Sequence, residues 1–386
     1  MDLTNAHTIF QNVVGTITPA AQLVIRLHDD IVFSRALGWL DPETREHPTQ
    51  PDTLFDMASV SKLFTVTAFM TLVEEGRVAL DTLVNMVLPE FGGLRPIRPY
   101  EDPLSPGGMV IVSESGGFVD AGRVTFHDLL THTSGLPAWR PLYRQPTADT
   151  ARQMALSTFF SYPTGTRVVY SDIGLILLGM AVERLTGHAL DAAVRERVTA
   201  PLGLRNTHYL PVSSLESGQS VENIAPTEFC AWRGRRIIAE VHDENAYRLG
   251  GVAGHAGIFS TAEDVAAFGQ MFLGDHKGAP LLSAPMVDTM TRCYTGGLGA
   301  RRGLGFALWL PDSEAADKER PSSYPFSQRA FGHTGFTGTS LWMDPERNLV
   351  VALLTNEVYN GRQNRGIAGL RVAVHGAIVE AIDAAG

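Results

Sequence analysis

Leu63 to Glu75 is apolar nearly all the way round a helix, and this stretch limits the possible folds more than any other. Leu63, Val66, Met70 and Val73 share one face, while Phe64, Ala68 and Leu72 share another. A helix with no polar face must be covered from every side, so the rest of the chain has to build layers around it. Gly76 follows as a stop residue suited to a left-handed turn. Ser59 and Lys62 stand at the N-terminal mouth of this helix, three residues apart and therefore on the same side. Backbone N–H groups and the helix dipole favour negative charge on a hydroxyl placed there, and an amine lies one turn away. That arrangement suits a nucleophile. The competing reading is an N-cap serine followed by a solvated lysine, although only three lysines occur in the whole chain.

With 386 residues and 44% hydrophobic content, the chain can bury one large core or two coupled ones. No run of 18 apolar residues occurs, so no membrane-spanning helix is indicated. The start, Met1-Asp2-Leu3-Thr4-Asn5, lacks the basic and apolar regions of a signal peptide, which points to a cytoplasmic protein. Cys230 and Cys293 make neither a disulfide framework nor a metal cluster. A net charge of −10 argues against nucleic acid or an anionic membrane as partner. A small molecule or short peptide is expected instead, with no metal or cofactor.

Along the chain, Thr4 to Val14 reads as an amphipathic helix. Gln22–Leu27 and Ile31–Leu37 read as a hairpin around His28-Asp29-Asp30. Asp81 to Pro89 is a short helix ended by proline, and Thr125-x-x-Asp128 is a capping box. Residues 92–123 hold seven glycines and four prolines, the pattern of an extended surface excursion with one apolar run at Met109 to Val112. Further helices are predicted at 148–160, 173–186, 190–199, 261–273 and 285–292. Arg329–Thr334, Thr339–Asp344 and Leu349–Asn356 are strands, and Ile367–Ala384 is a closing helix. Strands lie at both ends and helices fill the middle. The predicted fold is therefore α+β: one antiparallel sheet formed by both chain ends (1–80 and 251–386) and flanked by helices, with a mainly helical insertion at 81–250.

Two further stretches stand with Ser59-Val60-Ser61-Lys62. Tyr170-Ser171-Asp172 ends an extended segment just before an apolar helix, and Gly332-His333-Thr334-Gly335-Phe336-Thr337-Gly338 lies where a strand breaks into a glycine-rich turn. In order and spacing the three resemble the motifs of the serine β-lactamase and penicillin-binding-protein superfamily. In detail they are similar to the branch holding class C β-lactamases, D-aminopeptidases and family VIII carboxylesterases. His132-Thr-Ser-Gly-Leu-Pro137 and Leu249-Gly-Gly-Val-Ala-Gly-His-Ala-Gly257 resemble further landmarks of that branch. The resemblance implies a β-lactamase/transpeptidase-like fold and an acyl-enzyme on Ser59. It implies that Lys62 eases removal of the serine proton, that Tyr170 is general base and then acid, and that the N–H groups of Ser59 and Phe336 form the oxyanion hole. His333, Thr334, Gly335, Asp172 and Asn356 would contact substrate.

Two departures from the lactamase pattern bear on substrate. Asparagine is usual where Asp172 stands; a carboxylate there can pair with Lys62 and favour its charged form. Histidine replaces lysine at position 333, and near its ordinary pKa of about 6.5 it would be mostly neutral at pH 7.5 and charged toward pH 6. The expected function is a serine hydrolase of esters or of D-amino-acid amides and peptides, with neutral esters favoured for want of a fixed cation. A class C-type β-lactamase or penicillin-binding DD-peptidase is the alternative, and a catalytically silent scaffold a second. His127 and His132, expected on one helix facing apart, suggest no metal pair. His242, Asp243 and His255 read as satisfied loop residues near the cleft.

Overall fold

A computed structural model describes all residues except 106, 114, 214–221, 275–280, 312–322, 324, 364–365 and 386. Lys277 and Lys318 therefore lie outside the described residues, and Lys62 is the lysine the fold must accommodate. The predicted hairpin forms as β1 (Ala20–Leu27) and β2 (Asp30–Gly38), and the chain returns to it much later. β3 (Ala307–Leu308), β4 (Phe331–Thr334), β5 (Ser340–Asp344) and β6 (Leu349–Thr355) complete a six-stranded antiparallel sheet in the order β3-β4-β5-β6-β1-β2. The join between chain ends is the β1–β6 pair, in register from Ala21 opposite Thr355 to Leu27 opposite Leu349.

Both faces of this sheet are buried, and the period of two along each strand divides its residues between them. Ala21, Leu23 and Ile25 of β1 meet Leu349, Val351 and Leu353 of β6 under the terminal helices Thr4–Val13 and Ile367–Asp383. Val24, Val350, Ala352 and Leu354 face the other way, under the helices Ala262–Gln270 and Ser61–Glu74. Phe64 and Phe268 stack there with ring centroids 4.0 Å apart. The helix Ser61–Glu74 is buried at every position from Ser61 to Leu72, as its unbroken apolar surface requires. Its outer side is covered by a second all-round apolar helix, Asp172–Thr186, closed by Gly187 in the left-handed conformation.

Residues 92–123 differ from expectation: the described part of the segment lies at the surface, with Leu94, Leu104 and Phe118 exposed, but it is paired and anchored. Leu94–Pro96 pairs with Phe118–Asp120, and Tyr100–Glu101 with Met109–Val110. Ile97, Tyr100 and Val112 enter the main core, while Met109 and Ile111 of the apolar run Met109 to Val112 are exposed. Buried Arg95 anchors the segment by donating to the carbonyls of Thr158, Glu90 and Gly92, with its guanidinium 4.8 Å from the Phe91 ring centroid. A buried hydrogen-bonding arginine is invisible to a composition argument, which counts it as solvated. Arg95→Ala would strand three carbonyls at a cost of about 2–4 kcal/mol. The expected drop in Tm is about 2–5 °C, read by differential scanning calorimetry.

Candidate active site

The nucleophile turn is built before the core helix begins. Phe55–Asp56 is a short strand paired with Ile258–Ser260, and Ala58–Val60 forms a single 3-10 turn. Ala58 holds φ of 45°, a conformation that an alanine adopts only under constraint. The constraint is buried Asp56, whose Oδ1 accepts the Ala58 N–H at 2.8 Å. Ser59 is partly exposed, and its hydroxyl caps no helix N–H. Lys62, 1% exposed, donates to Ser59 Oγ at 2.8 Å and to the His255 carbonyl at 3.1 Å, and its ammonium is ion-paired with Asp172 Oδ1 at 2.8 Å. Burial alone would lower the lysine pKa, but Asp172 and Tyr170 outweigh it and hold the ammonium above its ordinary value.

Tyr170-Ser171-Asp172 is held over this turn by the His132–Pro137 segment. Ser171 donates its hydroxyl to the Pro137 carbonyl at 2.6 Å and its N–H to His132 Nδ1 at 3.1 Å, and the Asp172 N–H bonds the Ala138 carbonyl. The Tyr170 hydroxyl is buried beside Ser59 and Lys62 and has no settled partner of its own among the described residues. Lys62 Nζ lies 4.8 Å from its ring centroid. Burial pushes the phenol up from its usual pKa, against the pull of Lys62.

Beyond β4, Thr337 Oγ1 donates to the Asp56 carbonyl at 2.7 Å and Thr339 Oγ1 to that of Met57 at 2.9 Å. The glycine-rich turn is thereby pinned to the nucleophile turn. Gly335 can carry no side chain, because a Cβ would sit 2.6 Å from the Met57 carbonyl oxygen. Phe336 is 42% exposed, and its N–H takes no part in the backbone hydrogen bonds of the turn.

His333 is 4% exposed, with its Nδ1 2.7 Å from the Thr334 carbonyl oxygen and its ring 5.7 Å from that of Tyr170. Burial, with the charges of Lys62 and Arg302, pushes its pKa down to about 3. The expectation that His333 charges toward pH 6 is overturned: it stays neutral throughout the working range.

The missing cation comes from elsewhere. Arg302 lays its guanidinium 5.3 Å from the Tyr170 ring centroid and has no ion-pair partner among the described residues. It lines a cavity of about 680 Å³ together with Ser59, Tyr170, His333, Arg362 and Arg371. Leu104, from the anchored 92–123 segment, also reaches this cavity. Nothing in the residues around Arg302 marks it in the sequence; only the closure of the sheet brings it here.

Two other expectations change. The capped helix ends at Leu130, so His132 is not on it. Instead His132 turns through φ of 59° to place its ring 4.8 Å from that of Tyr170, buried and held neutral by burial and by the charges of Arg302 and Lys62. Asn356, expected at the substrate, has its carboxamide engaged within the fold. It is 1% exposed, with Oδ1 accepting from Thr18 Oγ1 and the Ala20 N–H and Nδ2 donating to the Pro226 carbonyl, so its carboxamide ties the sheet together.

The arrangement brings a partly exposed hydroxyl, a buried ammonium–phenol pair and the Phe336 turn to one cavity, the groups that acyl transfer through a serine ester requires. Comparison with known proteins agrees. The β-lactamase family profile, described as "Beta-lactamase", matches residues 8–375. An N-acetylmuramyl-L-alanine amidase of Bacillus subtilis (strain 168) is 32% identical over 377 residues, covering 88% of this chain and 77% of the relative. A putative D-alanyl-D-alanine carboxypeptidase of Escherichia coli (strain K12) is 29% identical, over 95% of this chain and 86% of its own length. Among solved structures, EstCE1, a hydrolase with promiscuous acyltransferase activity, superposes with a TM-score of 0.72 at 21% identity, covering 97% and 98% of the two chains. This chain belongs to the β-lactamase family. It is a serine hydrolase of the acyl-enzyme type.

Lys62 and Tyr170 are in contact, so in the base role that the motifs imply for Tyr170 the two would lose one proton as a unit. Both groups stand above their ordinary pKa values, so kcat/KM should climb steadily from pH 6 to 9 with no inflection from His333. Asp172 raises both members of the pair. Its removal in Asp172→Asn should therefore carry the alkaline limb to lower pH. A pH–rate profile in which the limb stays or moves upward would refute that electrostatic role.

Proposed function

We propose that the protein hydrolyses small amides that carry a carboxylate, of the acyl-amino-acid or short-peptide class, through an ester on Ser59. The observation carrying this reading is Arg302, a partly buried guanidinium against the Tyr170 ring in a cavity that Arg362 and Arg371 also line. Neutral His333 had left the site without a fixed positive charge, the ground for favouring neutral esters. Arg302 removes that ground, since guanidinium keeps its charge even when burial lowers its pKa. The names of the two curated relatives, an amidase and a carboxypeptidase, support amide chemistry.

In this mechanism Ser59 Oγ attacks the amide carbonyl carbon while its proton passes to the Lys62–Tyr170 pair in its deprotonated form. The oxyanion is received by the N–H groups of Ser59 and Phe336, whose alignment before the reaction supplies much of the stabilisation. Tyr170 then hands the proton to the departing amine, the C–N bond breaks, and an ester on Ser59 is left. Water repeats the sequence: its proton goes to the same pair, its oxygen joins the carbonyl carbon, the C–Oγ bond of the ester breaks as Ser59 Oγ takes the proton back, and the carboxylic acid leaves. Asp172 keeps Lys62 in place throughout; it accepts and does not donate.

The test compares a peptide or acyl amino acid with its own C-terminal carboxamide, which differs only in the charge. Wild-type protein should prefer the carboxylate, and Arg302→Gln should lose about 10- to 100-fold more in kcat/KM on the carboxylate than on the carboxamide, the reach of a hydrogen bond to a charged group. Equal turnover of both substrates by the wild type would end the reading. A cephalosporin in the same panel tests β-lactamase activity, which the same arginine favours. Ser59→Ala should remove both turnover and the acyl adduct seen by intact mass, a loss of several orders of magnitude.

A further inference from the structure

His242 and Asp243 are adjacent in the chain, and each reaches a different half of the machinery around Ser59. The His242 N–H donates to Asp56 Oδ2 at 2.6 Å, the same carboxylate that holds Ala58 in its left-handed conformation ahead of the nucleophile. The His242 ring lies against Phe336, centroids 5.6 Å apart and planes at 27°, and its Nε2 is fixed by Glu228 at 3.0 Å. Asp243 faces the other way. Its Oδ1 accepts the Ala246 N–H at 2.7 Å and meets His255 Nε2 at 2.9 Å. His255 in turn supplies, from its main chain, the carbonyl that receives Lys62 Nζ.

That carbonyl sits in a glycine-containing turn bridged between Ala253 and Ala256, and the His255 side chain is its polar tie to Asp243. Gly254 lies against the helix Asp172–Thr186 so closely that a Cβ would fall 2.0 Å from the Leu175 carbonyl oxygen and 3.0 Å from Gly179 N. Glycine allows the approach and imposes no direction. The His255 ring, 1% exposed, is the handle by which Asp243 sets the orientation of the peptide. Asp172, Asp243 and His255 bring ligand-type atoms within 4.8 Å of one another, and the Lys62 ammonium, 2.8 Å from Asp172, supplies positive charge at that point.

We infer that the Asp243–His255 pair is a positioning device for the catalytic lysine, and that the His242–Asp243 dipeptide couples it to the oxyanion turn. The lysine is held by the Ser59 hydroxyl, the Asp172 carboxylate and a backbone oxygen, and the direction of that oxygen is what Asp243 controls through His255. With the pair broken, Lys62 would keep its charge through Asp172 but would swing away from Ser59 Oγ. Displacements of about 1 Å in such a site cost up to about 100-fold. The inference rests on Ser59 and Lys62 as catalytic groups and is independent of the substrate proposed above.

The experiment uses Asp243→Ala, Asp243→Asn, His255→Ala and the Asp243→Ala/His255→Ala double variant, each titrated with a fluorophosphonate probe so that kcat is expressed per competent Ser59. The two alanine variants should each lose about 10- to 100-fold in kcat and in labelling rate, with KM changed less than about threefold. The double variant should be no slower than the slower single, because both break one linkage. Asp243→Asn should recover most of the loss, since its carboxamide oxygen still accepts from the His255 ring. Should Asp243→Ala fail to fold, His255→Ala and Asp243→Asn carry the same comparison. Unchanged kcat per titrated site, with only a lower Tm, would reduce the pair to a structural contact and overturn the inference. So would losses that multiply in the double variant. Absence of any labelling in the wild type would instead strike at Ser59 itself, and so at the proposed function.

Discussion

The site depends on keeping one ammonium charged inside the core. Transfer of a lysine from water to the interior is costly unless every N–H finds an acceptor and a countercharge stands close by. Lys62 meets both conditions, with Ser59 Oγ, the His255 carbonyl and Asp172 around it. Each acceptor comes from a different part of the chain: the turn before the core helix, the glycine loop, and the start of the helix packed over it. Folding and assembly of the site are therefore one event. A loose fit at any of the three contacts would leave a buried donor unpaired.

Around that charge the field is arranged by exclusion. His132 and His333 flank Tyr170 at ring distances of 4.8 and 5.7 Å, and both are held neutral by burial and by the charges of Lys62 and Arg302. A third cation among them would be repelled. The phenol thus sits among two permanent positive charges and two neutral imidazoles, so a negative charge passing through it would be met by fixed dipoles and cations. The same guanidinium gives the cavity its positive side, so stabilisation of the phenol and attraction of an anionic substrate draw on one residue.

The two halves of the active site are rigid for different reasons. The nucleophile and oxyanion turns are joined directly, by the hydroxyls of Thr337 and Thr339 on the carbonyls of Asp56 and Met57. The lysine side is joined through backbone packing, where Gly254 meets the helix Asp172–Thr186. Hydroxyl-to-carbonyl bonds fix a direction; glycine contacts fix only a distance. The polar side chains His242, Asp243 and His255 stand between the two halves, where direction is otherwise undetermined.

Much of this was legible in the residues alone. The all-round apolar helix Ser61–Glu74, the hairpin of β1 and β2, the strands after residue 329 and the closing helix all follow from local periodicity, because burial on one or both faces writes itself into spacing. Ser59, Lys62, Tyr170 and the His333–Phe336 turn were marked by short motifs whose chemistry is local, and Asp172 by its place beside Tyr170. Arg95, Arg302 and the true position of His132 were not, nor was the engagement of Asn356 in tying β1 to β6. Each of these depends on partners far away in the chain: Arg302 meets Tyr170 across more than a hundred residues, and Asn356 meets Thr18 across 338. Periodicity reports which side of an element is covered. It carries no record of what covers it, and the charge state of His333, like the destination of Arg302, is a property of that cover. Sequence determined the elements and the reacting groups; tertiary structure decided the electrostatics they work in, because a buried charge acts over distances in space that chain order does not encode.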